Sequence, residues 1–597
     1  MLSILSQLNG ELAEWSKALP WKGSIPQKGI VGSNPMFSAI FFIFLTSLLI
    51  FTHWNILKSD PLLNYDDSYV VAPLEKINSI NDYVENFKAH KIYDVQPVRD
   101  LSFWIDYKVQ SYTSLHIHHF VNLFVWMGIL FLFFKLMLYF EIPLIVNYAL
   151  VSLYAFHPAL TNALVWVTAR KHLLSTFFIL WASFVVVKKT AEEFRSRDVL
   201  LTVVLYILSC FSQPINILWP LWVGIYWWVN AEKTREIFKD RKRVVLLSWL
   251  FVVFAVVALI NQTYYSSTFV QQSNNLKYVA GENNQLSFRL LLFGRSVWQA
   301  LVPYWSTPLY YYPGSPLNIY GIILSSLVAW GVLRKKKSPC LSWLLFAAFP
   351  ILVVTINLTV VFGSDTYILN SVIGLFLCVA FLAKEHCLVF DKKIVKISLS
   401  VFFIFIFTSF LIQAKLVSRS WKSDLSQTAR AVKVESSPVV LSFHIQNLLN
   451  KFDYPAAFMF SEILQEWDPD FKTIDQLYSS SLYRHPYIKS ETKTKLLADK
   501  LKNYPHSPWI KYYLASLYAS SANYSDASAL MESISVEEFA LFKAETSAVA
   551  AEFGFFHQKA KGEKAKFHEK LQQIKSVLGQ NWNESLYESR ARELLAD

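Results

Sequence analysis

Residues 119–140, HFVNLFVWMGILFLFFKLMLYF, form an apolar run with a single charged side chain, Lys135. A helix of about this length crosses the ~30 Å hydrocarbon core of a bilayer. Ten further apolar runs lie at 36–52, 143–157, 173–187, 199–212, 215–229, 244–261, 317–333, 341–361, 366–383 and 397–414. The pattern predicts an all-α, polytopic membrane domain over residues 36–414 with about 11 transmembrane helices.

The composition of the whole chain agrees with a membrane protein. Of its 597 residues, 54% are hydrophobic and 17% are charged, whereas an average soluble domain has about 45–50% apolar and about 25% charged residues. This surplus argues against a soluble enzyme built around one core. The cysteines Cys210, Cys340, Cys378 and Cys387 lie in apolar runs or beside Lys-rich turns, so they imply no disulfide framework.

The net charge of +12 would suit a nucleic-acid-binding protein, but the location of the charges shows another origin. Four stretches between the apolar runs hold 18 Lys and Arg against 8 Asp and Glu, which gives +10; they are 188–198, 232–243, 334–337 and 384–396. Loops rich in Lys and Arg stay in the cytoplasm. We therefore expect a fixed topology and no nucleic-acid partner.

This rule predicts an integral membrane protein with a cytoplasmic N-terminus. The absence of Cys after residue 415 suits a bacterial envelope, so we expect the membrane to be a bacterial inner membrane. The segments predicted to lie outside are 53–115, 158–172, 262–316, 362–365 and everything after residue 415. Residues 288–304 are hydrophobic but contain Arg289 and Arg295, and a span there would break the alternation. The sequence predicts a re-entrant or interfacial segment at that position.

From residue 415 onward the pattern is amphipathic and helical, with nearly balanced charge. The stretch 503–531, NYPHSPWIKYYLASLYASSANYSDASALM, predicts a helix, a turn and a second helix. Its small and aromatic residues have the spacing of a tetratricopeptide repeat (TPR); they are Leu514, Ala515, Tyr518 and Ala527. With further helices at 453–466 and 536–552, residues 415–597 would form an extracytoplasmic TPR-like domain that could bind a protein partner.

The long loop 53–115 holds two adjacent carboxylates, Asp66 and Asp67. A partly desolvated carboxylate near a membrane suits a general base, and a carboxylate pair also suits a divalent metal ion. A helix N-cap or a solvated turn would explain the same residues without a function.

Polar residues continue to the start of the run at 119–140; they are Arg99, Asp106, His116, His118, His119 and Asn122. His116 and His119, three residues apart on a helix, could share a metal ion. The alternative is a set of interfacial histidines that bond to headgroups or to the backbone.

Residues 156–172, FHPALTNALVWVTARKH, place two histidines and the cations Arg170 and Lys171 beside apolar runs. Charges next to a membrane are costly unless they meet an anion or a partner. These cations could bind a specific phosphate or lipid phosphate in general. The aromatic tract 303–313 is either an interfacial belt or a surface that stacks on sugar rings.

Taken in order, these features resemble one known family. They are an acidic pair in a long first outer loop, an Arg-containing run that leads to H-x-x-N, an HP…W…RK turn, an S-x-P turn, a D-x-Y turn at 365–367, and a final helical-repeat domain. The chain resembles the GT-C membrane glycosyltransferases, in particular the bacterial relatives of the transmembrane and tetratricopeptide-repeat protein O-mannosyltransferases. The resemblance covers residues 36–435 continuously.

The resemblance implies roles for individual residues. Asp67, with Asp66 as the alternate, matches the catalytic acidic position. The cations that would bind the donor phosphate are Arg99, Arg170 and Lys171. Positions that match substrate-binding residues are His119, Asn122, His157, Asp365 and Tyr367, and Pro158 and Trp166 complete the HP…W…RK turn. The chain departs from the family at Asp100 (family Pro), Asn162 (Glu), His172 (Asp) and Thr366 (Arg), which leaves donor specificity and activity open.

The activity implied is transfer of a sugar from a polyprenyl-phosphate-linked donor to a protein Ser/Thr hydroxyl or a glycan acceptor, on the outer face and with inversion. Relatives differ in their need for a divalent metal ion, so the sequence leaves the cofactor open. One alternative is a non-enzymatic membrane scaffold or assembly factor that binds a partner through its helical domain. A transporter or lipid flippase is disfavoured, because the polar residues lie in outer turns rather than at mid-span.

Residues 1–35 are polar, lack the apolar core of a signal peptide, and resemble the translation of a transfer-RNA gene. We expect synthesis to start at Met36. Peptide mapping of the purified protein should then give Met36 as the first residue, and a tryptic peptide from residues 1–35 would contradict this expectation.

Overall fold

The computed structural model of the chain describes residues 35–596, except 59–70, 72–73, 75–76, 89–95, 110–115, 191, 193, 231–239, 281–284, 304–305, 307–315, 334–338, 357–364, 386–392, 435–436, 470, 472, 540–541, 543–545, 562–563 and 579–581. The described part of the chain divides into two compact units, with the boundary between Leu48 and Leu49.

The described residues contain helices and no strand, as predicted. In chain order the helices are α1 (Pro35–His53), α2 (Ile80–Lys88), α3 (Pro97–Val109), α4 (His116–Tyr139), α5 (Leu144–Ala155), α6 (Pro158–Val165), α7 (Arg170–Thr190), α8 (Ser196–Ser212), α9 (Trp219–Asn230), α10 (Arg241–Ala280), α11 (Gln285–Leu301), α12 (Pro316–Leu333), α13 (Pro339–Ile356), α14 (Leu369–Glu385), α15 (Lys393–Ser420), α16 (Asp424–Val434), α17 (Pro438–Asn450), α18 (Tyr454–Trp467), α19 (Ile474–Arg484), α20 (Ser490–Asn503), α21 (Pro508–Ser520), α22 (Tyr524–Glu532), α23 (Val536–Phe539), α24 (Thr546–Lys559), α25 (Lys564–Leu578) and α26 (Glu584–Ala596). Short 3-10 segments lie at Trp54–Lys58, Pro214–Asn216 and Asp365–Ile368.

Among the described residues, six helical segments are long and apolar enough to cross a membrane: Met36–Ile56, Ile117–Tyr139, Arg170–Thr190, Arg241–Ile260, Thr366–Glu385 and Ile397–Ser420. A seventh is possible because α5 and α6 together pass the same test, although the chain bends by 58° between them. The bend falls at Pro158, where a proline can begin a helix but cannot continue one. The protein therefore has several helices compatible with an integral membrane protein.

The predicted count of about 11 spans is not confirmed. The runs 199–212 and 215–229 form α8 and α9, which have 17 and 12 residues, whereas a transmembrane helix needs about 20. The runs 317–333 and 341–361 correspond to α12 and α13, which have 18 residues each. The side chains are described only for their apolar segments Leu317–Ser326 and Pro339–Val353. Apolar composition located these helices, but it did not show how many of them cross a membrane.

A buried polar network joins several of the apolar helices. The Asn216 Nδ2 group donates to Ser175 Oγ at 2.9 Å and to Ser209 Oγ at 3.2 Å. Asn370 Nδ2 in turn donates to Asn216 Oδ1 at 2.7 Å. Because buried polar groups are stable where they are hydrogen-bonded, these contacts fix α7, α8 and α14 against the Pro214–Asn216 segment.

The hydrophobic stretch predicted to be re-entrant or interfacial, 288–304, lies mostly in α11. This helix packs closely on α12: a Cβ atom at Gly294 would lie 2.0 Å from the carbonyl oxygen of Asn318. Arg295 is buried in this region. The placement of the segment relative to a membrane stays a prediction.

The C-terminal helices form hairpins with a repeated turn. In the α17–α18 turn Phe452 has φ 62°, and in the α21–α22 turn Ala522 has φ 60°. The following residue closes each turn, because Asp453 N–H donates to Leu448 O and Asn523 N–H donates to Tyr518 O, both at 2.9 Å. This is the hydrogen-bond pattern of a Schellman motif.

The helix–turn–helix predicted at 503–531 is present as α21 and α22, and the helix predicted at 453–466 is present as α18. Leu514, Ala515 and Ala527 are buried where α21 and α22 pack together. Of the helix predicted at 536–552, the structure describes α23 and the start of α24, while residues 540–541 and 543–545 lie outside the described residues.

The contact between α13 and α14 generates a stability prediction. A Cβ atom at Gly374 would lie 2.5 Å from the carbonyl oxygen of Trp343, whereas a Cβ at Gly224 would meet nothing within 4 Å. We expect Gly374→Ala to destabilise the protein by ~1–3 kcal/mol through overpacking. Gly224→Ala, the matched control, should be neutral or stabilising by up to ~1 kcal/mol. Thermal unfolding in detergent measures both, and equal melting temperatures would contradict the close approach.

Candidate functional site

Helix α3 buries three of its four charged residues and exposes several apolar ones, although Phe103 is buried and Lys108 is exposed. Arg99, Asp100 and Asp106 are each at most 3% exposed, whereas Leu101 and Ile105 are more than half exposed. In a soluble protein a surface helix has the opposite pattern. A helix with charges toward the protein and apolar side chains outward suits a position at the membrane boundary.

The buried face of α3 is joined to α4 and α7 by a group that we call the Arg170 network: Ser102, Asp106, His118, Asn122 and Arg170. Asp106 Oδ2 lies 2.6 Å from Arg170 Nη1 and 2.7 Å from His118 Nδ1. Arg170 Nε donates to Asn122 Oδ1 at 2.7 Å, Nη2 donates to His118 O at 2.8 Å, and Nη1 lies 3.3 Å from Ser102 Oγ. The guanidinium also lies over the Phe103 ring, 4.2 Å from its centre.

A second buried ion pair lies on the same helix. Arg99 Nη2 and Nε contact Asp100 Oδ1 at 2.6 and 2.7 Å. The other carboxylate oxygen accepts from Tyr83 Oη at 2.8 Å and from the Gln96 N–H at 3.2 Å. Ser102 Oγ donates to Arg99 O at 2.6 Å, so this pair adjoins the Arg170 network.

The HP…W turn lies at the junction with the C-terminal helices. Asn162 Nδ2 donates to Ser306 Oγ at 3.0 Å, and Trp421 Nε1 donates to Asn162 Oδ1 at 2.9 Å. The Trp166 and Trp421 rings stack with their centres 5.7 Å apart. Since Trp421 directly follows α15, the C-terminal helices begin at the same end of the helix bundle as this turn.

The remaining predicted site residues that the structure describes lie at the bend before α6, on α4 and α7, and in the Asp365–Ile368 segment. His157 precedes Pro158 and contacts the Ala300 carbonyl oxygen through Nε2 at 3.3 Å. The His172 ring packs edge-on against Tyr367 at 4.9 Å. His119 and Lys171 are buried.

The structure thus brings Asn122 and Arg170 together, although they are 48 positions apart in the sequence. The Arg99 guanidinium pairs with Asp100 instead, and it is the Arg99 backbone carbonyl that adjoins the network, through Ser102. The catalytic candidates Asp66 and Asp67 lie outside the described residues, as do the side chains of Asp365 and His116. Among the described residues no group of three His, Cys, Asp or Glu side chains could hold a metal ion. The metal predicted at Asp66 and Asp67, or at His116 and His119, stays a prediction.

Sequence reasoning assigned no role to Asp106, His118, Ser306 or Trp421. A signal for Asp106 was present: it lies seven residues after Arg99 and three after Phe103, so the three share a helix face. Ser306 and Trp421 contact Asn162 although they lie 144 and 259 residues away from it in the sequence. No local sequence pattern predicts these contacts.

The C-terminal helices contain a separate cavity of about 340 Å³, lined by Glu532–Val536, Glu569, Lys570 and Gln573. Lys570 Nζ donates to the carbonyl oxygen of Ile534 at 2.7 Å. Burial lowers the pKa of Lys570 to about 8. These contacts place Lys570 at the carbonyl end of α22, where a cation stabilises the last turn of a helix.

No family model matches the chain, and neither a curated protein nor a solved structure matches it significantly.

The Arg170 network generates the second stability prediction. Asp106→Asn should destabilise the protein by ~3–5 kcal/mol, because it leaves a buried guanidinium without its counter-charge. The control is Asp499→Asn in the exposed Lys502–Asp499 pair, which has a similar distance of 2.7 Å and should leave thermal unfolding unchanged. Equal effects of the two variants would show that the buried pair has no special importance.

Proposed function

We propose that the protein is a GT-C-type membrane glycosyltransferase that moves a sugar from a polyprenyl-phosphate donor to a protein hydroxyl or a glycan, with inversion. The observation that supports this most is the direct bond between Asn122 and Arg170 in one buried polar cluster, which adjoins the buried Arg99–Asp100 ion pair. These residues come from separate motifs of the resemblance. A shared site is what the family requires of them.

The reversed polarity of α3 also supports the proposal. Its exposed residues Leu101, Ile105 and Val109 are 52–71% exposed and would face lipid. A lipid-linked donor needs a site where its tail remains in hydrocarbon while its phosphate meets cations. The exposed apolar face of α3 supplies the hydrocarbon-facing environment, and the buried charged residues behind it supply the cations.

In the proposed mechanism, Asp67, or Asp66, removes the proton from the acceptor hydroxyl. Arg99, Arg170 and Lys171 stabilise the charge that develops on the departing phosphate. The carboxylates of Asp100 and Asp106 already contact the two guanidiniums at 2.6 Å. The donor phosphate would share these cations with the carboxylates, whose bonds keep the guanidiniums oriented. A divalent ion, if one is used, would bind at Asp66 and Asp67.

The C-terminal hairpins would form a TPR-like surface that presents the acceptor or binds a partner. Their repeated turns and the Trp166–Trp421 stack support this role, because they place a helical array beside the HP…W turn. We further propose that this domain and the turn lie on the extracytoplasmic side of a bacterial inner membrane.

A non-enzymatic scaffold is the second candidate, and the hydrogen bonding of Asn162 favours it. This residue replaces the family's Glu, and its amide is bonded on both sides, to Ser306 and to Trp421. An amide that connects structural elements in this way can serve assembly without serving catalysis.

The test uses a deletion strain complemented with the wild type, Asp66→Asn, Asp67→Asn or the double variant. Mass spectrometry of envelope proteins and lipid-linked glycans should show a glycan that is lost on deletion and restored by the wild type. The double variant should fail to restore it, while reaching the membrane at wild-type levels. Asp499→Asn, an exposed substitution in the C-terminal helices, is the control and should restore it.

A glycan profile that does not change on deletion would contradict the transferase and favour the scaffold. Full restoration by the double variant would contradict the assignment of the base.

A further inference from the structure

Helices α13 and α14 are antiparallel and approach each other at backbone distance. Ser371 Oγ donates to Ala347 O at 2.6 Å, and Gly374 lies against Trp343 O. One step further along the same line of contact, Cys378 of α14 meets Cys340 of α13. Small residues at each crossing point allow this approach.

The two cysteines face each other reciprocally. Cys378 Sγ lies 3.2 Å from the carbonyl oxygen of Cys340, and Cys340 Sγ lies 3.8 Å from the carbonyl oxygen of Cys378. Each thiol therefore reaches the backbone of the other residue. A disulfide requires Cα atoms about 4.4–6.8 Å apart and Cβ atoms directed toward each other. The reciprocal contacts place the two cysteines opposite each other on neighbouring helices, which is the arrangement that a disulfide between them needs.

We propose that Cys340 and Cys378 form a redox modification site, at which a peroxide converts the two thiols into a disulfide that links α13 to α14. The thiol of Cys378, 6% exposed against 2% for Cys340, reacts first. Hydrogen peroxide oxidises it to a sulfenic acid and is itself reduced to water. The Cys340 thiol then attacks the sulfenic sulfur, the S–S bond forms, and the hydroxyl leaves as a second water after taking up the thiol proton.

The sequence around the pair predicts that the thiols are reduced under ordinary conditions. Cys340 lies three residues after the Lys/Arg stretch 334–337, and Cys378 lies six residues before the stretch 384–396. The positive-inside rule predicts that both stretches are cytoplasmic. The cytoplasm keeps thiols reduced, so the bond would form during peroxide exposure and be reversed by thiol reductants.

The test uses full-length protein purified in detergent, treated with hydrogen peroxide and then denatured for maleimide labelling. Of the four thiols in the wild type, two should become unreactive and be recovered by dithiothreitol. Peptide mass spectrometry should identify a Cys340–Cys378 linked pair. The control Cys210→Ser should lose the same two thiols, whereas Cys340→Ser and Cys378→Ser should lose none reversibly.

Oxidation should also raise the thermal unfolding temperature of the wild type, since a cross-link restricts the unfolded chain, and it should not do so in either single Ser variant. Retention of all four thiols in the wild type, or a linked peptide between other cysteines or between two chains, would overturn the proposal. Should a Ser variant fail to fold, the linked-peptide result in the wild type and in Cys210→Ser decides. None of these outcomes depends on sugar transfer.

Discussion

The ion pair between Asp106 and Arg170 is the interaction on which the arrangement of α3, α4 and α7 depends. Removing two charges from water costs several kcal/mol for each ion, and the cost is offset only where the geometry is close and the remaining polar atoms are bonded. Here the 2.6 Å contact is supplemented by bonds to His118, Asn122 and Ser102. Each of these groups can therefore stay buried only while the others bond to it.

This constraint explains the orientation of α3. A helix that must direct Arg99, Asp100 and Asp106 inward has to direct Leu101, Ile105 and Val109 outward. Apolar side chains on an outer face are costly in water and favourable against lipid. The buried charges and the exposed apolar residues are thus two consequences of the same helix register.

A similar dependence connects the HP…W turn to the C-terminal helices. Asn162 uses its amide N–H to bind Ser306 and its amide oxygen to accept from Trp421. A glutamate at this position could not donate to Ser306, because an ionised carboxylate only accepts hydrogen bonds. Asn162, which stands where the family has Glu, therefore makes a pair of hydrogen bonds that an ionised glutamate could not make.

The sequence was sufficient for those parts of the fold that rest on local patterns. The apolar runs located the helices of the membrane region, and the Ser/Asn turn located α21 and α22. The number of spans was harder to predict, because α8 ends before the Pro214–Asn216 segment and α9 begins after it, and apolar composition does not show whether such short helices cross a membrane. The inward charges of α3 were hidden because its outward apolar residues are too few to form a run.

The site was predicted only in part, because motifs select residues along the sequence and only the structure shows which of them are in contact. Motif order selected Asn122 and Arg170, which the structure joins, and Arg99, whose ion pair with Asp100 adjoins them, but motif order does not show which residues pair. The role of Asp106 depends on contacts with residues 12 and 64 positions further on, His118 and Arg170. Such contacts follow from helix packing and not from spacing.

The most direct measurement of the central claim is a double-mutant cycle on thermal or denaturant unfolding, with Asp106→Asn, Arg170→Gln and the double variant. If the buried pair organises this region, the double variant should lose less stability than the two single losses added, with a coupling energy above ~1 kcal/mol. Additivity to within ~0.5 kcal/mol would contradict the account, because it would mean that neither charge depends on the other.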